Sequence, residues 1–300
     1  MIRAKGFLRS CVLIFIVYIL SRSIIRSLPG DPLDTLIAES GTQISREALA
    51  TELRLDLPFL QSLIHDLQSG LGRSLVTREP VLETLSKRLL STLLLSSSAL
   101  FIALFLAIVG TLGSALRSRD SHYSKGLRFF AHVATTIPTA WIGPVVLYSF
   151  GVALPWAEFR NSFPLACLTL SIPITGYWIR LLSLRIQQER EELYFRSAMG
   201  KGLSLPSALI RHALAPAAGA LFAILGSQWG ALLAGTFLVE HIFDCPGLGS
   251  TWIQAVQQRD YPMIEGATFI GATTCLLGIQ LGDWMQAAWD PRIADEGNPS

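Results

Sequence analysis

The sequence predicts an all-α integral membrane protein with six transmembrane helices, and three observations carry that prediction. Charged residues make up only 15% of the 300-residue chain, well below the roughly 25% usual for soluble domains. The scarcity is local: all 24 Lys and Arg and all 22 Asp and Glu lie outside five charge-free runs, 89–116, 129–157, 161–179, 212–239 and 266–282. Lys and Arg also concentrate in alternate connections between the runs, the bias that marks cytoplasmic loops. This is the composition of a chain that meets two solvents. It excludes a soluble globular enzyme and a disordered chain. A net charge of +2, without a long basic run or aromatic-basic alternation, also excludes nucleic acid as a partner.

A spanning helix needs about 20 largely apolar residues to cross ~30 Å of hydrocarbon. The five runs predict spans at about 91–115, 129–153, 162–182, 214–238 and 265–286. The last run is short, but Trp284 and Trp289 follow it as interfacial anchors. A sixth span, about 7–28, comes first in the chain. Its charge-free stretch, 10–21, is interrupted by Arg22 and Arg26 before the turn at Pro29 and Gly30. A secretory signal competes for this segment, with Arg3, Lys5 and Arg9 as the basic region and 11–20 as the apolar one. No convincing small-x-small cleavage site follows, so an uncleaved helix is preferred, with Arg22 snorkelling or facing the protein interior.

With the N-terminus inside, fourteen Lys and Arg fall in cytoplasmic segments, one each, Arg160 and Arg259, in the two short outside loops, and six in the long first outside segment, whose length makes its charge less decisive. Both termini are therefore expected in the cytoplasm. The segment 29–87 is expected outside. There Leu60, Ile64, Leu67 and Leu71 recur at helical spacing after Pro58, suggesting a short amphipathic cap helix. The segment 183–211 is expected inside, where 187–199 reads as a polar helix ended by Gly200 and Gly202, with Pro206 beyond.

Catalytic constellations are missing from the sequence. It contains no Gly-x-Ser-x-Gly, His-Glu-x-x-His or Cys-x-x-Cys pattern and no intramembrane carboxylate pair. Gly200-Lys201-Gly202 lacks the upstream glycine and the hydroxyl of a phosphate-binding loop. Cys11, Cys167, Cys245 and Cys275 are far apart, as inert core residues would be. Within the charge-free runs the only histidines are His132 and His212, both close to a cytoplasmic boundary, which weakens a proton relay. The neutral polar residues Thr135, Thr136, Gln228 and Gln280 suit helix-to-helix hydrogen bonding as well as a path lining.

Four places in the chain carry a resemblance. Pro29-Gly30-Asp31-Pro32 stands directly after the first span. Leu53-Arg54-Leu55-Asp56-Leu57-Pro58 is followed by Gly70-Leu71-Gly72-Arg73-Ser74 and Pro80-Val81. The stretch from Tyr194 to Ser204 reads YFRSAMGKGLS, with Arg211-His212-Ala213-Leu214 after it. Glu240-x-x-Phe243-x-x-Pro246-Gly247-Leu248-Gly249 precedes Arg259-Asp260-Tyr261-Pro262, and Asp290-Pro291-Arg292 closes the series. In this order the motifs resemble the permease subunit of bacterial ABC importers for dipeptides, oligopeptides and nickel.

The resemblance implies a non-enzymatic subunit of the bacterial inner membrane that translocates di- or oligopeptides. It implies no cofactor in this chain, ATP and Mg²⁺ being bound by partners. Those partners are two ATPase subunits, a substrate-binding protein and a sister permease completing a heterodimer. It makes Glu192, Tyr194, Arg196, Ala198, Lys201 and Gly202 part of an EAA-type coupling loop, in which small residues at Ala198 and Gly202 favour docking against the ATPase. Glu240, Phe243, Pro246, Gly247 and Gly249 become a re-entrant element near the outer gate. Pro29, Gly30, Asp31 and Pro32 form a rigid signature turn. The family places its loop proline near position 220, where this chain has Ala220 and carries Pro216 instead. An ion-coupled secondary carrier, a membrane enzyme, and an ABC permease for nickel or another solute are the alternatives.

Overall fold

The computed structural model describes residues 2–27, 61, 70–153 and 162–289. The signature turn at Pro29–Pro32 and the cap helix read around 60–70 lie outside the described residues. Everything regular that is described is helical, apart from one isolated bridge between Arg73 and Pro80. The helices are α1 (Ile2–Ser27), α2 (Val81–Ala115), α3 (His122–Thr136), α4 (Thr139–Leu147), α5 (Phe163–Glu191), α6 (Leu193–Gly200), α7 (Leu205–Leu209), α8 (Ala215–Ile242), α9 (Leu248–Gln258) and α10 (Tyr261–Trp289). Three of them, Val81–Ala115, Phe163–Glu191 and the stretch Tyr261–Gly282 of α10, are long and apolar enough to cross a membrane. A bent α3–α4 pair makes a fourth if counted as one span.

The run 129–153, read as a single span, is two helices meeting at 109°. The reason is Pro138. Proline disfavours α geometry in the residue before it, and Ile137 is accordingly extended (φ −80°, ψ 125°). A second proline, Pro144, lies inside α4, which loosens into a π turn at Tyr148–Ala153. By contrast Pro216 occupies the first turn of α8, where a missing N–H costs nothing. The displaced family proline therefore leaves α8 intact as a 28-residue helix.

The chain divides into two compact units. One comprises residues 94–245 with 277–300. Its centre is α5, whose apolar stretch is 67% buried, against 33% for that of α2. Trp178, Leu170, Leu182 and Ile179 of α5 pack into one cluster with a row on α2, Leu95, Ala99, Ala103 and Ala107, spaced one turn apart. These alanines let helices approach closely. The opposite face of α2 displays Leu94, Phe101, Phe105 and Val109, so one helix carries a packed stripe and an apolar outer face. Gly176 of α5 meets α3 with no room for a side chain, since a Cβ there would stand 2.9 Å from the Ala131 carbonyl oxygen. Gly226 of α8 and Gly282 of α10 likewise touch backbone to backbone.

The second unit comprises residues 1–93 with 246–276. Here α1 lies antiparallel to the first half of α10: Arg22 meets Glu265 while Tyr18, one turn earlier, meets Phe269. Gly266 of α10 faces the start of α2, and a Cβ on it would come within 2.5 Å of Val81 Cγ1.

Candidate functional site: an elbow helix and a tied cap

The elbow between α5 and α8 is built by local chemistry. The stretch 187–199, read from sequence as one helix, breaks at Glu192, whose backbone is extended (φ −69°, ψ 147°). Glu189, Glu191 and Glu192 crowd the C-terminal end of α5, where a helix dipole disfavours anions; the break makes Glu192 the N-cap of α6, where the dipole favours it. Burial, together with the neighbouring Glu192 charge and against the pull of Arg185, raises the Glu189 carboxyl above its ordinary pKa.

At its other end α6 closes in a Schellman motif. Leu203 N–H donates to the Ala198 carbonyl and Gly202 N–H to that of Met199, at 3.2 and 3.0 Å, with Gly202 at φ +88°. That left-handed geometry is what glycine supplies at this position. Its Cβ position is open, so the backbone requires the glycine and packing does not. Phe195 roots the elbow in a small cluster of Ile186, Ala208, Leu209 and Ala213, joined by Leu203 and by Leu112 from α2. Arg190 Nη1 donates to the Ala115 carbonyl at the end of α2.

The residues assigned to coupling thus divide between two faces of α6. Glu192, Tyr194, Arg196, Lys201 and Gly202 are exposed. Ala198 is buried with Phe195 on the inward face, which corrects its expected place on a docking surface. Its small size serves packing within the chain. The displayed apolar residues are instead Leu193, 79% exposed, with Tyr194 and Met199. Tyr194 also has its ring 6.5 Å from that of His212, which sits in the π turn Ile210–Leu214 leading into α8. Single-turn π segments occur frequently at functional sites, and this one ties the exposed face of α6 to the base of a long helix.

The expected gate motif is shared by both units. In the larger unit, α8 ends in a second Schellman motif. Cys245 N–H reaches the Glu240 carbonyl at 2.8 Å and Asp244 N–H reaches that of His241, with Asp244 at φ 53°. Glu240 and Phe243 are fully buried, so neither side chain is displayed. In the smaller unit, Pro246 is exposed while Gly247 and Gly249 are buried at the start of α9. Gly247 has no side chain to cap α9; Ser250 Oγ accepts the Gly247 N–H and Thr92 Oγ1, from α2, accepts the Leu248 N–H at 2.8 Å.

Sequence reasoning noticed Ser74 and Asp260 in their motifs without giving either a role, and passed over Thr92. The Asp260 carboxylate is buried and accepts two hydrogen bonds, from Ser74 Oγ and from the Leu75 N–H. Ser74 Oγ in turn accepts the N–H groups of Val76 and Thr77. This hub fixes the turn between Gly70 and Val81, and with the Thr92 tie to α9 it makes up the region called the cap below. The available signal was the pairing of two motifs, one ending in Ser74 and one containing Asp260, but their partnership is not written in either. Among the described residues no cluster of three His, Cys, Asp or Glu has metal-binding geometry.

Sequence comparison gives the family of this multi-helix chain. The chain belongs to the binding-protein-dependent transport system inner membrane component family, whose sequence profile matches residues 99–295. It is similar to a putative peptide transport system permease protein of Brucella abortus, 29% identical over 93% of this chain and 94% of that protein. It is similar to the same extent, with the same coverage, to a glutathione transport system permease protein of Salmonella paratyphi A. Membership makes it a non-catalytic, multi-pass inner-membrane permease of a system that works with a binding protein.

Proposed function

We propose that this chain is the peptide-translocating permease of an ATP-driven importer, one half of a membrane core completed by a sister subunit. Two ATPase subunits dock on the elbow and a substrate-binding protein delivers peptide to the outer face. In this reading the chain has six spans, about 7–28, 91–115, 129–153, 162–182, 214–238 and 265–286. Both termini and 183–211 are cytoplasmic, and 29–87 lies outside. The names of the relatives, one for peptides and one for the tripeptide glutathione, support small peptides as cargo.

The observation that carries the proposal is the division of α6. Its inner face is anchored by Phe195 while Leu193, Tyr194, Arg196 and Met199 stand exposed, an apolar surface rimmed by charge. A partner that moves this helix moves the Tyr194–His212 contact and the base of α8 with it. Closure of the ATPases needs only differential contact with two arrangements of the elbow to shift the gate. Vesicles reconstituted with the sister permease, ATPases and binding protein should accumulate peptide only with ATP. Leu193→Asp should abolish uptake while leaving the complex-free chain folded. Uptake that persists without the ATPases and collapses with an ionophore identifies an ion-coupled carrier instead.

A further inference from the structure

We propose that α1 is held in the membrane by a two-rung clamp to α10, and not by its own hydrophobicity. Its placement is then completed only after residue 265 has been made. The charge-free stretch of α1, 10–21, is far short of the roughly 20 residues a span requires. Arg22 ends that stretch, and a guanidinium in hydrocarbon resists insertion.

The structure shows what accommodates it. Tyr18 and Arg22 lie one turn apart on α1, and Glu265 and Phe269 one turn apart on α10. Arg22 Nη1 donates to Glu265 Oε2 at 2.9 Å and to the Tyr18 hydroxyl at 3.2 Å. One turn along, the Tyr18 and Phe269 rings meet edge to face with centroids 5.1 Å apart. The charged side chains are 3% and 10% exposed, and Tyr18 is 2% exposed. The aromatic rung fixes the rotation of both helices, so that the ion pair forms in one register.

Two consequences follow from the chemistry. The partners are 243 residues apart, so during synthesis Arg22 reaches the membrane long before Glu265 exists. The clamp is also asymmetric. A carboxyl that loses its guanidinium can be neutralised by a proton, whereas a guanidinium that loses a carboxylate stays charged at any physiological pH. Loss of Glu265 is therefore the more damaging of the two.

The inference rests on reading 7–28 as an uncleaved span, and the experiment separates the two. Full-length chain with an N-terminal tag is expressed in a bacterial inner membrane. Protease access to the tag from each face and the amount surviving a chase are measured together. The wild-type tag should be retained and reached only from the cytoplasmic face. Glu265→Leu should lower the surviving, correctly oriented chain about tenfold. Arg22→Leu should lower it less than about threefold, and the double variant Arg22→Leu/Glu265→Leu should recover to within about twofold of wild type.

Glu265→Leu behaving as wild type, or a double variant no better than Glu265→Leu, overturns the clamp. A tag cleaved from the wild-type chain overturns clamp and span together. Normal orientation and amounts with failed peptide uptake leave the clamp standing and overturn only the transport reading.

Discussion

The cap around Asp260 and the elbow around Phe195 are held together in opposite ways. In the cap the joints are side-chain hydrogen bonds between distant parts of the chain: Ser74 with Asp260, 186 residues apart, and Thr92 with Leu248, 156 apart. In the elbow the joints are backbone bonds within six residues, Leu203 to Ala198 and Gly202 to Met199, around a small apolar cluster. Directional bonds to a buried carboxylate tolerate little displacement, because an unmade bond leaves a buried polar group exposed to the full desolvation cost. Apolar contacts around a short helix are non-directional. The cap is accordingly built as a fixed piece, and the elbow as a lever whose shape is encoded locally and whose position is free to change.

Substitutions should break the two regions differently. Phe195→Ala removes the root of the elbow and should cost about 3–4 kcal/mol. Its signature is loss of protease resistance at 189–205 while the melting of the rest of the chain in detergent changes little. A wholesale loss of melting temperature would show that the elbow is not a separable lever. Asp260→Ala strands the Ser74 hydroxyl and the Leu75 N–H and should cost about 3 kcal/mol, read as a lower melting temperature of the whole chain. Asp260→Asn should recover part of it, since the amide oxygen still accepts one bond.

Smaller effects sharpen the contrast. Gly202→Ala meets no neighbouring atom, so its cost of about 1 kcal/mol is the left-handed backbone alone. Gly202→Asn should cost less than Gly202→Ala, because asparagine tolerates that region better; equal costs would show that something other than φ is at work. The smallest effect is expected at the exposed Glu83–Lys87 pair, 2.8 Å apart. The hydrogen bond and charge of Lys87 lower the Glu83 pKa and raise that of Lys87. The Glu83 contribution is present above the ordinary carboxyl pKa and lost as pH falls through its lowered one. Lys87→Met should move the Glu83 titration upward, as followed by NMR, without a measurable change in melting temperature.

Much of the helical layout was legible because it depends on local composition. Charge-free runs located α2, α5, α8 and α10 to within a few turns, although α2 starts at Val81 and α5 runs on to Glu191, since polar residues outside the apolar stretch are also good helix formers. The bend at Pro138 was written in the residues but masked by the apolar run that contains it. The inward turn of Ala198 was not legible, because a small residue suits a docking face and a packed face equally. The partnership of two motifs at Ser74 and Asp260 was also invisible from either alone.

The sequence by itself determined the mostly helical character, the long apolar runs and the glycine at 202, because apolar run length and left-handed backbone are properties of neighbouring residues. It also exposed Arg22 as out of place. Only the tertiary structure decided what stands opposite each buried polar group: Glu265 for Arg22, Ser74 for Asp260, Thr92 for the first turn of α9. No spacing along the chain encodes those pairs. They are set by which helix faces meet, and in these three cases the partner of the buried group arrives from far away in sequence.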